Sequence, residues 1–165
     1  MLNLTKLYCG VSQPADHLRY GQGHGAPRAA SERKPIVVWN ITRRCNLNCI
    51  HCRASSGMTS HDTDFTTEEA KTLLDDIAEV STPVMVLSGG EPLLRKDLFE
   101  IAKYGTGKGF RMCIATNGTL VTDDIVGKMK DAGVKICSLS LDGSTAAVHD
   151  DFRQQPGAFE AALRA

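Results

Sequence analysis

The chain has 165 residues, 19 basic and 19 acidic, for a formal net charge of +0 at pH 7. That length predicts one domain able to bury roughly 70% of the surface its unfolded chain exposes. An even balance without a basic block excludes a nucleic-acid groove or an anionic membrane as the basis of binding, so partners must be read from individual sites.

The amino-terminal "MLNLTKLYCG" has neither a continuous apolar core nor a small-residue cleavage site, and no later stretch approaches the roughly 20 apolar residues that span a bilayer. A soluble, cytoplasmic protein is expected, with neither nucleic acid nor membrane as a partner. Residues 21–35, "GQGHGAPRAASERKP", mix Gly, Pro, Ala and charge without periodicity, as a flexible connector does. Residues 1–34 therefore read as an amino-terminal extension and linker, and residues 35–165 as the core domain.

"IVVWNI", Ile36 to Ile41, is a short β-branched run expected to form a strand buried on both faces. It feeds directly into "TRRCNLNCIHCRASS". Thr66 and Glu69 then form a capping box, and Ala70, Leu73, Leu74, Ile77 and Ala78 mark one face of a helix running to Val80. A second strand spans Pro83 to Ser88, a helix covers roughly Asp97 to Tyr104, and a third strand runs from Phe110 to Thr116. Thr122 caps a third helix that stops at Gly133, and Val134 to Leu141 is a fourth strand. About four βα units in series imply an α/β fold with a parallel sheet and right-handed crossovers. Ligands of such sheets gather beyond the carboxyl ends of the strands, where "CNLNCIHC", "SGGEP", "TNGT" and "SLDG" fall.

Three of the six cysteines lie within eight residues, Cys45, Cys49 and Cys52, spaced C-x3-C-x2-C. Disulfide scaffolds are usually shorter and spread their cysteines, so reduced, metal-binding thiols are expected. A structural zinc site usually closes with four ligands in two separated pairs, and His51 adjoins Cys52 too closely to be a good fourth. A 4Fe-4S cluster held by three thiolates would leave one iron open to a small molecule. Unligated buried thiols are a third reading, against which stands a loop rich in Arg and Asn. Cys113 and Cys137 read as core residues, while Cys9 has no assigned role.

"CNLNCIHC" followed by "SGGEP" resembles the radical S-adenosylmethionine (SAM) superfamily. The resemblance implies a partial (β/α) barrel. Cys45, Cys49 and Cys52 would hold a 4Fe-4S cluster whose unique iron binds the amino and carboxylate groups of SAM. An electron from the cluster then releases a 5'-deoxyadenosyl radical, with no catalytic residue beyond the cluster and SAM site.

By the same resemblance His51 would pack near adenine. Gly89, Gly90, Glu91 and Pro92 would form the loop that meets the methionine amino group, the glycines letting backbone approach a bound group. Asn117, Ser140, Asp142 and Arg153 match positions that contact ribose or the SAM carboxylate; each could equally serve a turn or a solvated surface. Arg43 and Arg44 could meet a carboxylated substrate or simply face water.

The amino-terminal "LTKLYCGVSQPADHLRYG" and "KPIVVWNITRRCNLNCIHCRASS" are further similar to the didecarboxysiroheme deacetylases of siroheme-dependent haem synthesis. That likeness implies an iron tetrapyrrole substrate losing two acetate side chains, and a small electron donor such as ferredoxin or flavodoxin. It also implies a longer chain with further βα units and an auxiliary cluster. Arg53 departs from the aromatic residue common there. A peptide-maturing radical SAM enzyme, a haem d1 synthesis enzyme and an inactive or zinc-holding fragment are the alternatives.

Overall fold

Aliphatic runs separated by capped amphipathic segments fold into parallel strands joined by helices in the computed structural model, which describes residues 35–58 and 64–165. The elements are β1 (Ile36–Thr42), α1 (Thr67–Val80), β2 (Val84–Gly89), a 3-10 turn (Pro92–Leu94), α2 (Leu98–Gly107) and β3 (Arg111–Thr116). They continue as α3 (Asp123–Asp131), β4 (Ile136–Leu139), α4 (Ala146–Arg153) and α5 (Ala158–Arg164). The expected linker and Cys9 lie outside the described residues.

The four strands stand in the order β1-β2-β3-β4 and every pair is parallel. Val37 lies beside Met85, Met85 beside Met112, and Ile114 beside Cys137. Alternation along each strand sends Met85, Leu87, Met112 and Ile114 to the face on which Leu74, Leu98, Ile101 and Met129 of the helices pack. Each large aliphatic side chain buried there contributes about 1.5–3 kcal/mol. The other face carries the difference from expectation. Ile36 and Val38 remain 69% and 63% exposed, so β1 is buried on one face only, since no described element covers the second.

The capping box at α1 forms as the sequence predicts, with the Glu69 N–H donating to Thr66 Oγ1 (3.3 Å) and the Thr66 N–H to Glu69 Oε2 (2.8 Å). Thr66→Ala is expected to lower the urea midpoint at unchanged slope, a loss of about 1 kcal/mol. Strand four is shorter than predicted, and all four of its residues are exposed. Cys137, expected in the core, is exposed here because β4 lies at one edge of the described sheet, whereas Cys113 is buried as expected. The sequence reading assigns no element to α4, although Thr145 caps it by accepting from the Val148 N–H (3.4 Å). Among the described residues no helix is long and apolar enough to cross a membrane.

Candidate functional site

The cysteine loop grows out of an irregularity in β1, whose pairing with β2 shifts register between Asn40 and Thr42. Beyond it, the Cys45 N–H donates to Gly57 O (2.9 Å) and the Gly57 N–H to Arg43 O (3.4 Å), closing the loop at its stem. Inside, the Cys52 N–H reaches Cys49 O (3.1 Å) and the Ser55 N–H reaches Cys52 O (3.3 Å). The Thr42 hydroxyl donates to Asp64 and accepts from the Arg44 N–H (3.1 Å), which fixes the turn out of the strand.

The end of β2 zips onto that stem. The Gly90 N–H donates to Thr42 O (2.9 Å) and the Glu91 N–H to Arg44 O (2.8 Å). Gly89 has φ +136, and a Cβ on it would stand 2.3 Å from Thr42 O; a Cβ on Gly90 would stand 2.2 Å from Arg44 O. Only glycine permits such an approach. What the two glycines approach is the backbone carrying the cysteines, where sequence reasoning expected a bound group.

Glu91 is fully buried. Its Oε1 accepts from the Leu93 N–H (3.0 Å) and the Thr116 hydroxyl (2.8 Å), and Oε2 from the Asn117 N–H (2.8 Å). Burial pushes its pKa up, while the Asn117 and Leu93 N–H groups and the Thr116 hydroxyl pull it down. The carboxylate thus ties the end of β2 to the end of β3. Pro92, also buried, opens the 3-10 turn.

At the end of β3, Asn117 Nδ2 donates to Asn46 Oδ1 (2.9 Å), Asn46 Nδ2 to Thr119 Oγ1 (2.8 Å), and the Thr119 hydroxyl to Asn117 Oδ1 (2.7 Å). This closed triangle pins the cysteine loop to the β3 loop. From α4, the Phe152 carbonyl accepts from the Ile50 N–H (3.1 Å), and the Phe152 ring stacks on His51 with centroids 4.2 Å apart at 15°. Asn46, Thr119 and Phe152 carried no signal in the sequence, since only the fold brings them to the loop.

Cys45, Cys49 and Cys52 line one cavity of about 280 Å3, together with His51, Gly89, Gly90, Asn117, Ser140 and Arg153. Glu91, Pro92 and Asp142 do not line it; Asp142 is exposed, pairs with Arg153 and donates its N–H to His149 Nδ1 (3.1 Å). Each of the three sulfurs accepts one N–H. Leu47 N donates to Cys45 Sγ (3.4 Å), Ser56 N to Cys52 Sγ (3.3 Å) and Arg153 Nη1 to Cys49 Sγ (3.5 Å). The Ser56 N–H holds the Cys52 thiol below its ordinary pKa, while burial raises that of Cys45.

Ser56 and Arg153 also line this cavity, and Ser56 Oγ and Arg153 Nε are buried within their side chains and meet no hydrogen-bond geometry among the described residues. Among the described residues no three His, Cys, Asp or Glu side chains converge as ligands of a single ion. The sulfurs instead stand around the wall. Three soft sulfur side chains spread about one polar cavity, each accepting an N–H, fit a polynuclear iron–sulfur group with a polar ligand beside it.

The sequence model of the radical SAM superfamily matches residues 39–165. The Fe-coproporphyrin III synthase of Methanosarcina barkeri is 45% identical over 169 aligned positions, covering 99% of this chain and 42% of the relative. An AdoMet-dependent heme synthase of the same organism is 51% identical over 128 positions, 78% of this chain and 37% of the relative. The structure of BtrN in complex with AdoMet and 2-DOIA superposes with a TM-score of 0.58 at 20% identity, covering 79% of this chain and 55% of that one. The chain thus spans about two-fifths of the length of these curated relatives. The four-strand sheet with helices on one face is part of a (β/α) barrel.

Proposed function

Because the chain belongs to the radical SAM superfamily, whose members use SAM and an iron–sulfur cluster, we propose that Cys45, Cys49 and Cys52 hold a 4Fe-4S cluster by three irons and leave the fourth for SAM. The observation that carries this reading is the common cavity lined by the three cysteines, in which each sulfur accepts an N–H. When bound, the cluster supplies an electron and SAM the 5'-deoxyadenosyl group that takes hydrogen from substrate. Arg153 braces Cys49 and, with Ser56, stands on the wall against which a ligand carboxylate would lie. Gly90 and Asn117 shape the wall, with Glu91 acting through Thr116 and Asn117. His51, backed by Phe152, offers its other face to an aromatic ring.

The substrate reading is an iron tetrapyrrole, didecarboxysiroheme, from which two acetate side chains are removed to give Fe-coproporphyrin III during haem synthesis. Its support is the similarity to the Fe-coproporphyrin III synthase along nearly the whole chain, residues before the core included. A second reading, haem formation, is favoured by the 51% identity to a heme synthase over 78% of this chain. Both include a cytoplasmic setting and a small electron donor such as ferredoxin or flavodoxin.

The test is anaerobic incubation of the full-length, cluster-loaded protein with SAM, reductant and didecarboxysiroheme, and separately with Fe-coproporphyrin III. Fe-coproporphyrin III appearing in the first, with 5'-deoxyadenosine, is the expected result. Haem appearing only in the second would favour the other reading. SAM cleavage with neither tetrapyrrole altered would overturn both.

A further inference from the structure

A second cavity, about 460 Å3, opens beside the first along β1. The two share Asn40, Gly89, Arg53 and Ala54 on their walls, so they adjoin directly. None of the candidate cluster or SAM residues other than Gly89 lines the larger one. Its own walls are aromatic and cationic: Trp39 and Phe65, with ring centroids 6.1 Å apart, and the side chains of Arg43 and Arg53.

The charges in it are unequally committed. Arg43 is anchored through Nη2 on Ala54 O (3.1 Å). Asp64 is turned toward the Thr42 hydroxyl and the Arg43 N–H. Arg53, exposed at the seam of the two cavities, makes no hydrogen bond or ion pair within the described residues. A free guanidinium fork beside flat rings suits a planar macrocycle bearing carboxylates, binding one carboxylate in a bidentate manner.

We propose that this cavity receives a carboxylate-bearing edge of the substrate and that Arg53 recognises the carboxylate, holding the macrocycle against the cluster cavity. The proposal rests on the tetrapyrrole reading above. It places specificity on a residue that neither ligates the cluster nor belongs to the loop at the end of β2.

The test uses the full-length, cluster-loaded protein and titrates Fe-coproporphyrin III by its absorption, as the free acid and as the methyl ester of all its carboxylates. Arg53→Gln is expected to weaken free-acid binding about ten-fold, to raise KM more than it lowers kcat, and to retain the cluster absorption. Arg53→Lys should recover part of the affinity. Lys130→Gln, which removes a cation from the exposed face of α3, is the control and should bind as the parent does. Equal binding by Arg53→Gln and the parent, or equal binding of ester and acid by the parent, would overturn the assignment of Arg53 and leave the tetrapyrrole reading standing. No binding of either form by a parent protein that still cleaves SAM would remove the tetrapyrrole reading itself, and this inference with it.

Discussion

Replacing Cys49 with Ala is expected to give a folded protein that takes up no iron–sulfur cluster and forms no 5'-deoxyadenosine. With two thiolates the site can grip only two of the irons that three sulfurs around the cavity would hold, and a cluster so held is lost to any competing thiol. The fold should survive. Cys49 is half-buried, and its carbonyl, which accepts from the Cys52 N–H, belongs to the backbone and is unaffected by the substitution. The Arg153 guanidinium would lose one acceptor and keep Asp142. Iron and sulfide analysis, visible absorption and far-ultraviolet circular dichroism together read the result. Cys137→Ala, outside the cysteine loop and exposed among the described residues, should leave cluster uptake and 5'-deoxyadenosine formation unchanged. Retained SAM cleavage in the Cys49 variant would overturn the ligand assignment, and one zinc without sulfide in the parent would replace it with a metal-holding module.

Replacing Glu91 with Ala is expected to cost roughly 3–5 kcal/mol of stability, several times the effect of removing the α1 cap. The substitution leaves the Leu93 N–H, the Thr116 hydroxyl and the Asn117 N–H buried without their acceptor. Glu91→Gln keeps an acceptor for the first two and turns an amide donor toward the Asn117 N–H, so its expected loss is smaller, about 1–3 kcal/mol. Urea unfolding of the two variants should therefore rank Ala well below Gln. A Glu91→Ala protein of parental stability that no longer binds SAM would instead give Glu91 the direct ligand contact that its sequence context suggests.

The alternation of strand and helix was legible because α1 and α3 declare their starts in a hydroxyl residue and α1 its face in an apolar period: Thr66 and Thr122 both cap where the sequence places them. Cys45, Cys49 and Cys52 were legible as a set because their spacing is local. Burial was less so. A β-branched run such as Ile36–Ile41 reads the same whether one face or two are covered, since coverage depends on other elements. The role of Gly89 and Gly90 was half legible, in that a close approach was required but the sequence does not say to what. The tie from Glu91 to Thr116 and Asn117 and the stacking of Phe152 on His51 arise between residues distant in the chain, where no periodicity or motif reaches.

The anchors of the cysteine loop have an order in time as well as in space. Its stem closes on nearby Gly57, but Ile50 waits for the carbonyl of Phe152, Asn46 for Asn117 and Thr119, and Cys49 for Arg153. A nascent chain that has emerged only as far as β3 already exposes all three thiols while lacking the helix that braces them. Closing such distant pairs is the slow part of assembly. Iron delivered before α4 has docked would meet a loose dithiol or trithiol open to oxidation and to the wrong metal, so insertion of the proposed cluster belongs after α4 has been drawn against the loop.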